Sequence, residues 1–213
     1  MILARKLKLT VSEEQHTVLM ETLDQYRKCV DRVFEFGFTN RLTNGQSLHA
    51  GTYAELRAEY PSLPSALVCV ARVKATEALK AIKSQTKGKW DTEQPKSGKR
   101  PAIRYNKTCC AIGKDTLALT TTQGRIKVGI VNNPFVKEDV KDFSSTCELS
   151  YRNGNWYLTV FVETECEEPL PTKDILGIDR GVKNIAVCSN NQFFNSKHLK
   201  NVKGKYRHLR KKL

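Results

Sequence analysis

Apolar and polar positions alternate along this chain in two rhythms, and the change from one to the other organises it. "ILARKLKLTV" (2–11) alternates apolar and basic residues late in the run, as a strand with one wet face does. Ser12 and Gln15 then carry the spacing of a capping box, and Leu19, Leu23, Tyr26, Val30 and Val33/Phe34 recur at steps of four and three, predicting a helix. "TNGQS" breaks it. A short helix is expected around 52–59, ending before Pro61, and another from near Pro64 with Leu67, Val70, Ala71, Ala75, Leu79 and Ile82 on one face. Residues 86–101, "TKGKWDTEQPKSGKRP", are rich in Gly, Pro and Lys and read as a linker.

From about 102 to 165 the period becomes two. "AIRYNK", "TLALTT", "RIKVGI", "STCELSYR" and "WYLTVFVET" are short β-rich runs separated by "GKD", "TQG" and "RNGN" turns, and the Asn-Gly of "YRNGNWYLTVFV" is the firmest hairpin signal. Trp156 and Phe161 are expected in the core. The fold class is α+β: a small antiparallel barrel or sandwich from 1–11 and 102–165, with a helical insert over 12–95. "ECEEPLPTKD" (165–174), acidic and with two prolines, reads as an interdomain linker centred on 166–173. Beyond it, 174–213 read as strand, tight turn, strand, turn, strand, then a helix with Leu199, Val202, Tyr206, Leu209 and Leu213 at steps of three and four.

A chain of 213 residues, 39% hydrophobic and 27% charged, can bury a core as one large domain or two small ones. No apolar run approaches the ~20 residues that span a bilayer, and the N-terminus lacks a signal-peptide apolar region, so no membrane partner and an intracellular location are expected. Seven cysteines at irregular spacing, with no CxxC pair, predict free thiols and no zinc site within this chain.

The net charge of +14 changes the picture more, because it is localised. Residues 96–127 hold eight basic and one acidic side chain, and 174–213 hold ten and two, whereas 128–173 are net acidic. Positive charge concentrated in blocks points to a polyanion, most often nucleic acid. On the helix from Pro64, Arg72, Thr76, Lys80, Lys83 and Lys87 form a stripe that could track a phosphate backbone; a solvated helix face is the other reading. On the strands, Arg100, Arg104, Tyr105, Lys107, Lys114, Arg125 and Lys127 combine basic residues with an aromatic, as binding to a nucleic-acid backbone with some stacking requires. The last helix adds Lys203, Lys205, Arg207 and Arg210.

"ILGIDRGVKNIAV" (175–187) sets Asp179 inside an apolar run, where desolvating a carboxylate costs several kcal/mol or more without a partner. A divalent cation is such a partner: Mg²⁺ takes hard oxygen ligands, and a strand carrying an Asp followed by an antiparallel hairpin is how a ribonuclease-H-like sheet begins. Gly177 and Gly181 would leave room for a metal to approach. The other reading is a surface-facing Asp at a strand end, paired with Arg180 or Lys183.

"GIDRGVKNIAV", followed by a polar turn and a basic helix, resembles the first RuvC motif of TnpB/OrfB-type proteins, which are encoded by bacterial and archaeal insertion sequences. "KLKLTVSEEQHTVLMETL" and "GNWYLTVFVE" resemble that family's opening strand and helix and the strand leading into its nuclease domain. Arg180 stands where the family usually has Leu. The resemblance implies an OB-like wedge barrel with a helical recognition insert, then the start of a RuvC-like α/β nuclease domain over 174–213. It implies guide RNA and target DNA as partners, Mg²⁺ as cofactor with Asp179 as catalytic ligand, and a prokaryotic cytoplasmic, nucleoid-associated setting. The family's later Glu and Asp and its CxxC…CxxC zinc ribbon have no counterpart here. The chain is therefore expected to be truncated after the first RuvC motif and not to cleave DNA alone. A catalytically inactive, stand-alone RNA- or DNA-binding regulator derived from such an element is the alternative. A third reading, a sugar-kinase-like phosphate hairpin, expects Thr or Ser where Val182 and Lys183 stand.

Overall fold

The computed structural model describes residues 2–93, 102–113, 115–131, 140, 146–165, 175–181 and 184–212. The chain divides into two units, Met1–Glu165 and Cys166–Leu213.

The first unit opens with strand β1 (Ile2–Thr10), followed by helices α1 (Glu13–Thr39), α2 (Gly45–Glu59) and α3 (Ser65–Gln85). Strands β2 (Ile103–Asn106), β3 (Cys110–Ile112), β4 (Thr116–Thr121), β5 (Gly124–Ile130), β6 (Thr146–Arg152) and β7 (Asn155–Glu163) complete it. The predicted capping box is formed: the Ser12 hydroxyl accepts from Gln15 N at 3.3 Å, and Ser12 N donates to Gln15 Oε1 at 3.1 Å. Helix α2 starts seven residues earlier than expected. Asn44 and Gly45, read as a breaker, instead cap it, the Asn44 side chain accepting from Gln46 N at 2.8 Å. Helix α3 buries the predicted face, with Leu67, Ala71, Ala75 and Leu79 fully enclosed.

The strands form one antiparallel sheet in the order β2-β6-β7-β1-β5-β4-β3. β1 switches partners along its length: Ile2–Lys8 pair with β7, while Leu9 and Thr10 pair with β5. The expected closed barrel is not completed among the described residues, since β2 and β3 remain edges. These edge strands are four and three residues long. A side chain bridges β2 to β4, the Tyr105 hydroxyl donating to Thr120 O at 3.1 Å. The Asn153-Gly154 turn joins β6 to β7 as predicted, both residues at positive φ (49° and 77°), which suits Asn and Gly. Helices and sheet share one core, running from Leu19, Tyr26 and Leu79 to Leu117, Leu149 and Leu158.

The second unit is a meander of β8 (Ile178–Asp179), β9 (Asn184–Cys188) and β10 (Phe193–Asn195), antiparallel with β9 central, followed by α4 (Lys197–Arg210). This is the predicted succession of strands and helix. The predicted apolar residues of α4 do fall along one helix. Among the described residues of this unit nothing covers it: Leu199, Val202, Tyr206 and Leu209 are exposed, as are Ile178, Ile185, Phe193 and Phe194 on the strands. No helix among the described residues is long and apolar enough to cross a membrane. Of the seven thiols, Cys29, Cys109, Cys110, Cys147 and Cys188 are buried and free, and Cys69 is half-buried and free. Cys166 lies outside the described residues.

Candidate nucleic-acid interface

The basic stripe on α3 divides where the helix leaves the core. Arg72 is half-buried, and its Nη1 donates to Gly45 O at 2.9 Å, so it fastens the start of α2. A Cβ at Gly45 would stand 2.7 Å from that nitrogen, so the contact uses the absent side chain. Thr76 is buried and donates back to Arg72 O. Beyond them Lys80, Lys83 and Lys87 are exposed and converge, with Thr43, Ser84 and Gly88, on a shallow depression of about 490 Å³.

Local chain geometry assembles this group. Lys80 and Lys83 stand one turn apart, and the helix then ends with Thr86 N bonded to Ile82 O and Gly88 N to Lys83 O. Lys87 and Gly88 adopt positive φ (49° and 79°), reversing the chain so that Lys87 stays beside the last turn. Trp90 secures the reversal: its N donates to Thr86 Oγ1, and its ring meets Phe38 edge-on at 5.7 Å. Glu77, the single acidic residue of α3, is bound elsewhere, and among the described residues no carboxylate pairs with Lys80, Lys83 or Lys87.

The strand-borne set is dispersed. Arg104 is only 21% exposed; its Nη1 lies 2.8 Å from both Glu77 oxygens, and its Nη2 lies 3.6 Å from Glu148. Burial opposes its charge, but the bound Glu77 carboxylate and the nearby Glu148 outweigh that and hold its pKa above the ordinary value. Lys74 joins this network, donating to Ala102 O at 2.7 Å, and burial pulls its pKa down. Arg104 therefore ties α3 to β2 and β6, and its charge is spent inside the protein. The stacking role expected of Tyr105 is corrected: the ring is fully buried and has no face for a base. Period-two alternation explains the pair, because Arg104 and Tyr105 must point to opposite faces of β2. Lys107 is exposed in the turn after β2, and Arg125 and Lys127 are exposed together on β5, opposite Thr120 and Ala118. Arg100 and Lys114 lie outside the described residues. In the second unit Lys203, Lys205, Arg207 and Arg210 are all exposed on α4.

Asp179 is exposed on its two-residue strand, so the desolvation that singled it out does not act on it here. No ion pair to Arg180 is formed, and Lys183 lies outside the described residues. Among the described residues no three His, Cys, Asp or Glu side chains group as metal ligands would. One carboxylate supplies at most two of the oxygens an octahedral Mg²⁺ needs. The described residues therefore do not fit a magnesium centre, and no hydrolytic step follows from them.

Pattern reading missed a further group. Phe161, expected in the core, is half-buried on the outer face of β7 together with Tyr157, while Trp156, Leu158, Val160 and Val162 point inward. Thr159 between them marks the wet face, and that signal was present in "WYLTVFV". Trp156 itself is core, its Nε1–H donating to His16 Nδ1 at 2.9 Å.

Neither a comparison with protein-family models nor one with curated proteins found a match. Among solved structures, the chain shows a distant similarity to one described as "Cryo-EM structure of CRISPR-Cas12f Ternary Complex", with a TM-score of 0.45 and 12% identity. The superposition covers 91% of this chain and 51% of the other, so this chain spans about half the length of the one it matches. A likeness at that level establishes neither fold nor activity.

Proposed function

We propose that this chain is the nucleic-acid-binding, N-terminal part of a TnpB-like, RNA-guided, transposon-encoded DNA endonuclease. The observation that carries the binding half of this reading is the group of Lys80, Lys83 and Lys87 around one depression, free of carboxylates among the described residues. Like charges held together on one helix end repel, and an anion relieves that repulsion; neutralised phosphates would also release counterions. Exposed Arg125 and Lys127 on the sheet, Lys107 in the turn after β2, and the basic α4, extend the positive surface within each unit. In such a protein the basic surfaces hold guide RNA and heteroduplex backbone, and base pairing reads the target DNA.

The nuclease half rests on the resemblance of "GIDRGVKNIAV". In this reading Asp179 is one carboxylate of a RuvC-type site. The exposure of Asp179 on its strand favours a second reading, a catalytically inactive RNA- or DNA-binding regulator. Binding of labelled RNA measured against salt tests what the two share: affinity should fall steeply from 50 to 200 mM. No binding at low salt, or salt-independent binding, refutes both. Asp179→Ala should leave RNA affinity unchanged.

A further inference from the structure

We propose that the outer face of β6, β7 and β1 is a second subsite, a platform on which single-stranded RNA stacks its bases. This rests on the nucleic-acid reading above but uses different residues. Every other described Phe, Tyr or Trp of the first unit belongs to its core or packs against it; Tyr157 and Phe161 do neither. They lie four residues apart on one face of β7, ~13 Å along the strand, with both rings half-exposed.

The ladder places cations and hydroxyls around those rings. Lys8 on β1 and Ser150 on β6 flank Tyr157; Lys6 flanks Thr159; Arg152 faces Asn155. Lys6, Lys8 and Arg152 are exposed, and Lys6 Nζ sits 4.3 Å from the Tyr157 ring centroid, so charge and π-face already share one position. Two carboxylates share this face: Glu148, engaged by Arg104 and Lys74, and Glu163, exposed at the end of β7 two residues beyond Phe161.

The chemistry selects the occupant. A protein partner would need a continuous apolar patch, whereas these rings are separated by Thr159, with Lys6 and Lys8 beside Tyr157 and Ala4 beside Phe161. A single-stranded polyanion supplies bases for the two rings and phosphates for the three cations. Ser150 flanks Tyr157 on the side away from Lys8 and Thr159 lies between the two rings, so a ribose 2′-hydroxyl can bond their hydroxyls and a deoxyribose cannot. The occupant is therefore RNA.

The test is fluorescence anisotropy of the intact chain with a labelled oligouridine of about 12 nucleotides, and with the matching oligothymidine. Tyr157→Leu keeps an apolar side chain but removes the π-face, and Phe161→Leu does the same. Each should weaken RNA binding about 5- to 150-fold with the salt slope unchanged, while Tyr157→Phe binds as the parent does. Circular dichroism checks that the leucine variants fold, and oligothymidine should bind more weakly than oligouridine. Parent-like binding by both leucine variants overturns the platform, and equal affinity for the two oligonucleotides overturns the assignment to RNA. Replacing Lys80, Lys83 and Lys87 with Gln separates the two readings. Loss there with no loss in the leucine variants removes the platform alone, and no RNA binding by the parent chain removes both.

Discussion

Replacing Lys80, Lys83 and Lys87 together by Gln removes three exposed charges that converge on one depression and leaves the core untouched. If each lysine neutralises one phosphate, the slope of log affinity against log salt should fall by about 0.7 per lysine on a single strand and about 0.9 on a duplex. Three lysines then account for a slope change of about 2.1 or 2.7. Between 50 and 200 mM salt the advantage of the parent over the variant should accordingly shrink ~20-fold on single-stranded RNA and ~40-fold on duplex. The cost in folding is small by comparison. Of the three, Lys83 lies in the last turn of α3, where the helix dipole favours a cation by about 0.3–1 kcal/mol, and relief of lysine–lysine repulsion offsets part of that. Anisotropy titrations at three or four salt concentrations, with thermal melts of both proteins, give the slopes and the stability. Parallel salt plots with equal melting temperatures would refute the reasoning, because three phosphate contacts cannot vanish without changing the counterion count.

Other expectations concern the groups that set the fold around these surfaces. Arg104→Ala strands Glu77 and Glu148 beside a half-buried Lys74, and should cost about 1–3 kcal/mol of stability in urea titrations while moving RNA affinity little; the opposite outcome would restore Arg104 to the interface. His16→Ala leaves the buried Trp156 N–H without its acceptor and should destabilise by about 1–3 kcal/mol, visible in melts followed by tryptophan fluorescence. Burial raises the Cys29 thiol from its ordinary value near 9 to about 12. A group kept protonated by the fold contributes its full stabilisation below the unfolded value and loses it as pH rises toward the folded one. Stability should therefore decline above pH 9 at up to about 1.4 kcal/mol per pH unit from this thiol, and Cys29→Ala should flatten that decline in urea midpoints measured from pH 8 to 11.

Short-range pattern was enough for much of this protein. The capping box at Ser12, the buried face of α3, the Asn153-Gly154 hairpin and the strand–helix order of 175–210 are local: each depends on residues a few positions apart, whose dihedral preferences and periodicity are written in neighbouring letters. Asn44-Gly45 shows the limit of local reading, since the same dipeptide that ends one helix caps the next, and only the packing of α2 decides which. Alternation established that Arg104 and Tyr105 face opposite ways, and that Tyr157 and Phe161 share a face with Thr159. It could not say which face is inside, because that depends on which strands and helices close over it. Tertiary structure made that choice: Tyr105 went into the core, Arg104 was consumed by Glu77 and Glu148, and Tyr157 was left beside Lys6 in the open. Asp179 is the sharpest case. An apolar run signals burial only when something covers it, and among the described residues of its unit nothing does. Sequence determines what each segment tends to become; which charges remain free to meet a ligand is settled by what folds against them.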